Sequence, residues 1–249
     1  MARIKYVQIE SKNALVELLR EGKTFTKIYL ATNAFKDQKT NEIVALANKL
    51  GVQVEKVSRK SLGRNNKTGA TESVVGLMEA DNMWSLKELL DKIHEENKIP
   101  FFLVLDHVKY DVNIGAIMRT AYASGVNGVI TPIDTDNLLN SETIRISMGA
   151  SLRIPIVEMN LFSALKELKN DGVKLVGVSM EGTNYYDADL RGPVAFIVGA
   201  EDTGISTRVQ ERVDEAISIP MRENIGSLNV GVSAGVIMYE KLRQEVKAA

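Results

Sequence analysis

The stretch Pro100-Phe101-Phe102-Leu103-Val104-Leu105 is an apolar run of strand length. Such a run is typical of a strand that is covered on both faces, as in a parallel sheet. From here to the C-terminus, apolar runs alternate with helix-like segments. The predicted strands are 100–105, 128–131, 154–157, 174–178, 194–198 and 216–220, and the predicted helices are 114–124, 141–147, 161–170 and 230–246. This alternation predicts an α/β domain with a mostly parallel sheet and helices on both faces.

The N-terminal part carries a second, smaller α/β pattern. Its predicted elements are helix 12–20, strand 27–31, helix 41–50, strand 52–57 and strand 73–78. Between the last two strands, residues 58–69 are rich in Gly, Asn and basic residues, which predicts a mobile loop. We expect a small α/β sandwich.

Residues 81–98 are predicted to form a helical connector. Ser85 can cap its helix, and Glu88 stands at the position that completes a capping box. We therefore predict an N-terminal domain over 1–80, a linker over 81–98 and a C-terminal domain over 99–249.

The net charge of -1 hides an asymmetry between these parts. Residues 1–80 carry 14 Lys and Arg against 8 Asp and Glu, whereas residues 81–249 carry 17 against 24. A basic module attached to an acidic one favours binding of a polyanion. The alternative is ordinary surface variation and a solvated loop. The candidate residues for binding the phosphates of such a polyanion are Arg59, Lys60, Arg64 and Lys67.

Composition excludes several classes of site. The chain has no cysteine and only two histidines, His94 and His107. Disulfides, thiolate metal sites and a Cys nucleophile are excluded, no metal site is expected, and a Ser-His-Asp triad has few ways to form. No run of 18 apolar residues predicts a membrane span, and the start lacks the apolar segment of a secretory signal. We expect a cytoplasmic protein without membrane contact.

Three polar clusters each follow a predicted strand, where ligands bind in folds of this class. In the first, 111–121, Asn113 either caps a helix or serves a site. Arg119 lies in an otherwise apolar helix, so we expect it to be buried. A buried Arg needs an anionic partner, such as a substrate phosphate or carboxylate.

The second cluster, 198–206, superficially matches a P-loop. The lysine position of that motif is Ile205, so a nucleoside triphosphate site is rejected, and no G-x-G-x-x-G fingerprint occurs. Gly199 is expected to let a ligand approach the backbone closely. In the third cluster, 219–230, Ser227 and Asn229 interrupt an apolar run that we expect to be buried. Polar side chains there indicate a ligand, a tight turn or both.

The order and spacing of the three clusters resemble the SpoU/TrmH branch of the SPOUT RNA methyltransferases. The family pattern is Asn-x-Gly-x-x-x-Arg-Thr-Ala, then Gly-x-Glu-x-x-Gly, then Ile-Pro-Met followed by Ser-Leu-Asn-Val, and every position is present within residues 99–246. Residues 145–150 also look like the family. The N-terminal part more weakly resembles its L30e/L7Ae-like substrate-binding domain. Val112 departs from the usual Pro, and 71–73 depart from a usual His-Gln-Gly-like element.

This resemblance implies a Rossmann-like SPOUT domain with a deep trefoil knot, a homodimer, and methyl transfer to a ribose 2′-hydroxyl of RNA, rRNA rather than tRNA. The methyl donor S-adenosylmethionine is implied beside Gly199, Ile219, Met221 and Leu228. Arg119 is the implied catalytic residue, oriented with the substrate by Asn113, Glu201, Ser227 and Asn229, and nothing in the pattern requires His107. The alternatives are a tRNA 2′-O-methyltransferase, a non-catalytic RNA-binding protein and a small-molecule methyltransferase.

Overall fold

The computed structural model describes residues 6–32, 34, 37–65, 73–133, 135, 137–222 and 226–248, and the side chains of 63–65 and 247–248 are outside that description. The described strands are β1 Tyr6–Ile9, β2 Phe25–Ala31, β3 Val54–Val57, β4 Val74–Glu79, β5 Phe101–Asp106, β6 Gly128–Thr131, β7 Ile156–Glu158, β8 Lys174–Ser179, β9 Thr183–Asn184, β10 Val194–Gly199 and β11 Glu215–Ser218. The described helices are α1 Lys12–Arg20, α2 Gln38–Lys49, α3 Arg59–Asn65, α4 Leu86–Glu95, α5 Asp111–Ala123, α6 Ser141–Ile146, α7 Leu161–Asn170, α8 Thr207–Gln210 and α9 Val230–Ala248.

The strands form two sheets. The N-terminal sheet has the order β1-β4-β2-β3, with β4 antiparallel to both neighbours. The C-terminal sheet has seven strands in the order β7-β6-β5-β10-β8-β11-β9, and all its neighbours are parallel. The predicted α/β class, with a parallel C-terminal sheet and a smaller N-terminal sheet, is therefore confirmed. Within the described chain, no helix is long and apolar enough to cross a bilayer.

The central strands β5 and β10 are buried along their whole length. Their register ends with Gly199 beside Asp106, so both strands deliver their last residues to the same edge of the sheet. The strands that sequence periodicity missed are β1 and β9, with four and two residues.

The mobile loop predicted over 58–69 is wrong for 59–65, which form α3. The Ser58 hydroxyl oxygen accepts a hydrogen bond from the Ser61 backbone N–H at 3.1 Å, as at a helix start. Leu62 is buried in a cluster with Ala31 and Val75. This single buried leucine ties the basic segment to the sheet. Residues 66–69, and with them Lys67, lie outside the described residues.

The predicted helix within 81–98 is α4, and its capping box between Ser85 and Glu88 is present. The helix packs its apolar face onto the C-terminal sheet, where Leu89 and Leu90 share a core with Phe102. Just before it, Asn82 is buried and donates to the backbone oxygens of Ser151 and Ile154, both at 2.8 Å. The connector is thus fixed to the second sheet.

Polar contacts connect the two halves of the chain. The Ser141 hydroxyl donates to the Gln8 carbonyl at 2.8 Å. A guanidinium N–H of Arg153 donates to the carboxylate of Glu21 at 2.5 Å. Such exposed ion pairs are individually weak, so the core packing around them carries most of the stability.

Candidate active site

A cavity of about 1070 Å³ opens at the carboxyl edge of the C-terminal sheet. Its walls are the segments that follow β8, β10 and β11. They include the predicted residues Gly199, Glu201, Ile219, Met221, Ser227, Leu228 and Asn229, whereas Asn113 and Arg119 do not line it. The structure therefore brings together two clusters that are about 20 residues apart in the sequence, at the edge where ligands bind in this fold class.

Gly199 is required by the protein backbone. A Cβ placed there would lie 1.9 Å from the Gly204 carbonyl carbon and 2.1 Å from the Ile205 nitrogen. The turn that comes so close is closed by two backbone hydrogen bonds between Ala200 and Gly204, of 2.8 and 3.1 Å. Gly204 itself has φ +67°, which favours glycine. The chain's own turn thus gives a second reason for glycine at this position, and the approach of a ligand to the Gly199 backbone stays a prediction.

Three side chains form a hydrogen-bonded relay beside the cavity. Asn229 precedes α9, and its Oδ1 accepts from the Gly231 backbone N–H at 2.9 Å. Its Nδ2 donates to Asn113 Oδ1 at 2.8 Å, and Asn113 Nδ2 donates to Glu201 Oε1 at 2.6 Å. Backbone amides at the helix start fix the orientation of Asn229, which fixes that of Asn113 in turn. The relay therefore holds one N–H donor, that of Asn113 Nδ2, against the Glu201 carboxylate.

The relay decides between the two readings of Asn113. Helix α5 begins at Asp111 after Tyr110, so Asn113 lies inside the helix and does not cap it. The residue is only 9% exposed. The oxygen and the nitrogen of its side-chain amide each bond to a side chain from one of the other two clusters. Asn113 thus does not cap the helix, and its role in the site stays a prediction that these two side-chain hydrogen bonds support.

Glu201 has an unused acceptor. Its Oε2 is buried and accepts no hydrogen bond from the residues that the structure describes. A buried carboxylate oxygen without a donor is costly, so a ligand or a second protein surface is expected to supply one.

The expected burial of Ser227 and Asn229 is wrong, because both are exposed residues on the cavity wall. The strand before them ends at Ser218, and the chain then leaves the sheet. Their polarity is explained by access to the cavity rather than by enclosure in the core.

The expected burial of Arg119 is also wrong. Arg119 is exposed, and it forms no hydrogen bond or ion pair with any described residue. Six residues turn a helix by about 240°, so Arg119 faces away from Asn113, which points toward α9. The apolar neighbours that suggested burial occupy the other side of α5, where Ile114, Ile117 and Met118 are fully buried.

The cavity is acidic. Four carboxylates line it, from Glu181, Glu201, Asp202 and Glu211, and its described lining contains no Lys, Arg or His. A backbone hydrogen bond and then the charge of Lys109 hold the pKa of Asp202 below its usual value. The Lys109 Nζ is 3.4 Å from the Asp202 carboxylate, outside the cavity lining. The wall thus suits a cationic ligand, and a phosphate bound here would need a cation from elsewhere.

Two segments match known families. Residues 100–239 match the SpoU rRNA methylase family. The chain belongs to that family. Residues 9–84 match the substrate-binding family of RNA 2′-O ribose methyltransferases. The resemblance predicted from the three clusters and from the N-terminal part is therefore confirmed.

Relatives of this SpoU methylase span nearly its whole length. YacO, a TrmH family protein of Bacillus subtilis (strain 168), is 34% identical and the match covers 94% of each chain. A 23S rRNA (guanosine-2′-O-)-methyltransferase of Ralstonia nicotianae is 33% identical over 91% of each chain. The SpoU methyltransferase AviRb of Streptomyces viridochromogenes, solved with AdoMet, has the same fold with a TM-score of 0.77 at 21% identity, covering 97% of this chain and 91% of its own.

One positioning residue of this SpoU methylase was not predicted from its sequence. Asp106 ends β5 and is 1% exposed, and its Oδ2 accepts from the Ser206 backbone N–H at 2.7 Å. Its other oxygen lies 2.6 Å from His107 Nδ1. Asp106 thereby ties β5 to the loop after Gly199. The sequence offers one sign of this residue, since Asp106 is an acidic residue at the end of an otherwise apolar strand. His107 is exposed and does not line the cavity.

The candidate RNA-binding residues lie elsewhere. Arg59 and Lys60 are exposed in the first turn of α3 and do not line the cavity. The side chains of Arg64 and Lys67 are outside the described part of the chain.

One substitution tests the hydrogen bonds of the relay separately from the shape of its side chains. Asn113→Asp keeps the side-chain size but replaces the donor to Glu201 with an oxygen, placing two carboxylates at the 2.6 Å contact. We expect a loss of about 1–3 kcal/mol in the free energy of unfolding at neutral pH, smaller at acidic pH, because one shared proton restores the bond. Urea denaturation at several pH values measures it. An equal loss at all pH values would contradict the relay.

Proposed function

We propose that this SpoU methylase transfers the methyl group of S-adenosylmethionine to a ribose 2′-hydroxyl of RNA, with 23S rRNA as substrate. The observation that carries the proposal is the Asn229–Asn113–Glu201 relay at the wall of an acidic cavity. It unites all three clusters in one site. The named activity of the Ralstonia relative supports 23S rRNA, and a tRNA substrate is the second candidate because other relatives are named for both RNAs.

The donor fits the residues that are present. S-adenosylmethionine supplies an electrophilic methyl group on a positively charged sulfur, which an acidic wall without cations favours. The volume of about 1070 Å³ is slightly above the usual range of ligand sites, about 300–1,000 Å³, so the donor has room to bind. Gly199, Ile219, Met221 and Leu228 would hold it, since all four line the cavity.

The remaining chemistry falls to side chains. The 2′-oxygen must be aligned with the methyl group and must lose its proton. Glu201, held by Asn113, would accept a hydrogen bond on its free Oε2 from the substrate or from a guanidinium. Ser227 and Asn229 would orient the ribose. Arg119 would hold the adjacent phosphate and stabilise the developing alkoxide, because a guanidinium is not deprotonated in proteins and cannot act as the base.

Arg119 does not line the acidic cavity of its own chain, so it can act in methyl transfer only if it reaches another cavity. In a homodimer it would reach the acidic cavity of the second copy. On α5, Val112 and Arg119 are seven residues apart on one exposed stripe, and on α9 the exposed Val232, Tyr239 and Val246 repeat at the same interval. Exposed apolar stripes on two packed helices support a homodimer through this face. Light scattering on the purified chain would measure its mass, and a monomer would contradict this part of the proposal.

Two further properties are proposed with the function. The C-terminal segment is proposed to pass through the loops of the site as the deep trefoil knot implied by the family resemblance. A cytoplasmic location is proposed because the named substrate of the relatives, 23S rRNA, is found in that compartment.

Incubation with methyl-labelled S-adenosylmethionine and total RNA tests the function. We expect the label in RNA and on a ribose. The methylated 2′-oxygen can no longer attack the neighbouring phosphate, so the RNA backbone should resist cleavage at that nucleotide. Tight donor binding without label in RNA would favour a non-catalytic RNA-binding protein. Label in small molecules alone would favour a small-molecule methyltransferase.

The basic cluster of the N-terminal domain makes a further prediction. Neutralising Arg59, Lys60, Arg64 and Lys67 should weaken RNA binding and flatten its salt dependence, by about 0.7–0.9 in the logarithmic slope per lost phosphate contact. Titrations at several salt concentrations measure the slope. As a control, Lys166→Ala removes an exposed charge on α7 and should leave the slope unchanged. An unchanged slope in the quadruple variant would place the RNA surface elsewhere.

A further inference from the structure

A second cavity, of about 420 Å³, lies between the two halves of the chain. Glu21 and Lys23 from the N-terminal half line it, Trp84 and Lys92 come from the segment fixed to the second sheet, and Tyr122 comes from the end of α5. We call this the interdomain cleft. None of its lining residues belongs to the acidic cavity.

The interdomain cleft combines aromatic rings with cations. Trp84 is the single tryptophan of the chain, and the Lys92 Nζ lies 4.8 Å from its ring centroid. Tyr122 is 51% exposed. Flat aromatic surfaces flanked by Lys or Arg are the chemistry with which proteins hold unpaired nucleotides, because every base can stack and every backbone link carries a negative charge.

The charges of the cleft are available to a ligand. Lys23 pairs with Asp81 at 2.5 Å and Arg153 with Glu21 at 2.5 Å, and Lys92 is only 3.9 Å from Glu96. Pairs of this exposure contribute little, so a phosphate can compete for their cations. The lining itself holds three cations and two carboxylates, in contrast to the acidic cavity.

The cleft also has an unsatisfied acceptor. Asn82 lines it and is 5% exposed, and its Oδ1 is buried without a hydrogen-bond donor among the described residues. Its Nδ2 is committed to two backbone oxygens, which fixes the side chain in place. An amino group on a nucleobase is a donor that would satisfy such an oxygen.

We propose that the interdomain cleft binds an unpaired nucleotide of the RNA substrate, with the base on Trp84 and Tyr122 and a phosphate on Lys92 and Arg153. This inference rests on the proposed function for the identity of the polymer. The acidic cavity lacks a cation for the RNA backbone, whereas the cleft supplies several. Both halves of the chain contribute to the cleft, so an RNA bound there is held by both at once.

The single tryptophan makes the site directly observable. Titration with a single-stranded oligoribonucleotide is expected to quench Trp84 fluorescence, and a perfect duplex of the same sequence is expected to quench it much less. Tyr122→Ala and Lys92→Ala should each weaken the binding seen by this signal by about 5- to 100-fold, while S-adenosylmethionine binding is unchanged. Neither residue lines the acidic cavity.

Matched controls separate stacking from general effects of mutation. Tyr186→Ala removes a tyrosine of 52% exposure from another part of the surface, and Lys87→Ala removes an exposed charge from the same helix as Lys92. Both should bind single-stranded RNA as the unmodified chain does. Equal losses in the controls and in the cleft variants would overturn the proposal.

The outcomes also distinguish this proposal from the proposed function. RNA that is methylated, and bound to saturation in a filter assay, without any change in Trp84 fluorescence would overturn the cleft and leave the function intact. Quenching by single-stranded RNA without methyl transfer would support the cleft and contradict the function.

Discussion

Replacing Arg119 with alanine is expected to lower the rate of RNA methylation by about a hundredfold or more, while the dissociation constant for S-adenosylmethionine stays nearly unchanged. Arg119 is exposed, has no partner among the described residues and does not line the acidic cavity. The cavity therefore keeps its donor site without it. The RNA phosphate and the developing alkoxide would lose their cation, because the described cavity lining has none.

Single-turnover methylation and calorimetric donor titration together measure this effect. Arg119→Lys keeps the charge but not the planar fork, so it should restore only part of the rate. Arg208→Ala, which removes another exposed Arg of the C-terminal domain, is the matched control and should be near wild type. A large loss of donor affinity in Arg119→Ala would mean that the residue supports the donor site.

Replacing Gly199 with alanine should abolish binding of S-adenosylmethionine, whereas Arg119→Ala should leave that binding nearly unchanged. The new methyl group would lie 1.9 Å from a backbone carbon of Gly204, and backbone cannot swing away as a flexible side chain can. The turn from Ala200 to Gly204, which carries Glu201 and lines the cavity, must shift. We expect destabilisation of about 1–3 kcal/mol, as for other overpacked sites, and loss of measurable donor binding.

Gly226→Ala is the matched control, since Gly226 lines the same cavity but a Cβ there meets no atom within 4 Å. Its stability should be unchanged within about 0.5 kcal/mol. Thermal unfolding and donor titration of the two variants give the comparison. Normal donor binding by Gly199→Ala would show that the turn adapts and that the site does not depend on its position.

Much of this architecture was predictable because it depends on local patterns. The buried strand at 101–106 and helix 161–170 follow from an apolar run and from helical spacing, and both were confirmed. Membership of the SpoU family was predictable because the order and spacing of the three polar clusters can be read directly in the sequence. Helix α3 was missed because its formation depends on one leucine finding a distant core, which composition does not reveal.

The proximity of several candidate residues was predictable from the sequence, but their geometry was not. Sequence placed Asn113, Glu201 and Asn229 in one site, yet only the structure orders them in a relay. The burial of Arg119 was predicted from its apolar neighbours, but those neighbours occupy the opposite side of the helix. Asp106 was missed because its partner is a backbone amide 100 residues away.

The central claim is that the three clusters form one RNA 2′-O-methylation site. Mass spectrometry of 23S rRNA and tRNA after incubation with labelled S-adenosylmethionine tests it most directly, with the Arg119→Ala variant in parallel. We predict one additional methyl group on the ribose of a single 23S rRNA nucleotide, absent with the variant. A methyl group on a base, or an identical mark made by Arg119→Ala, would contradict the claim.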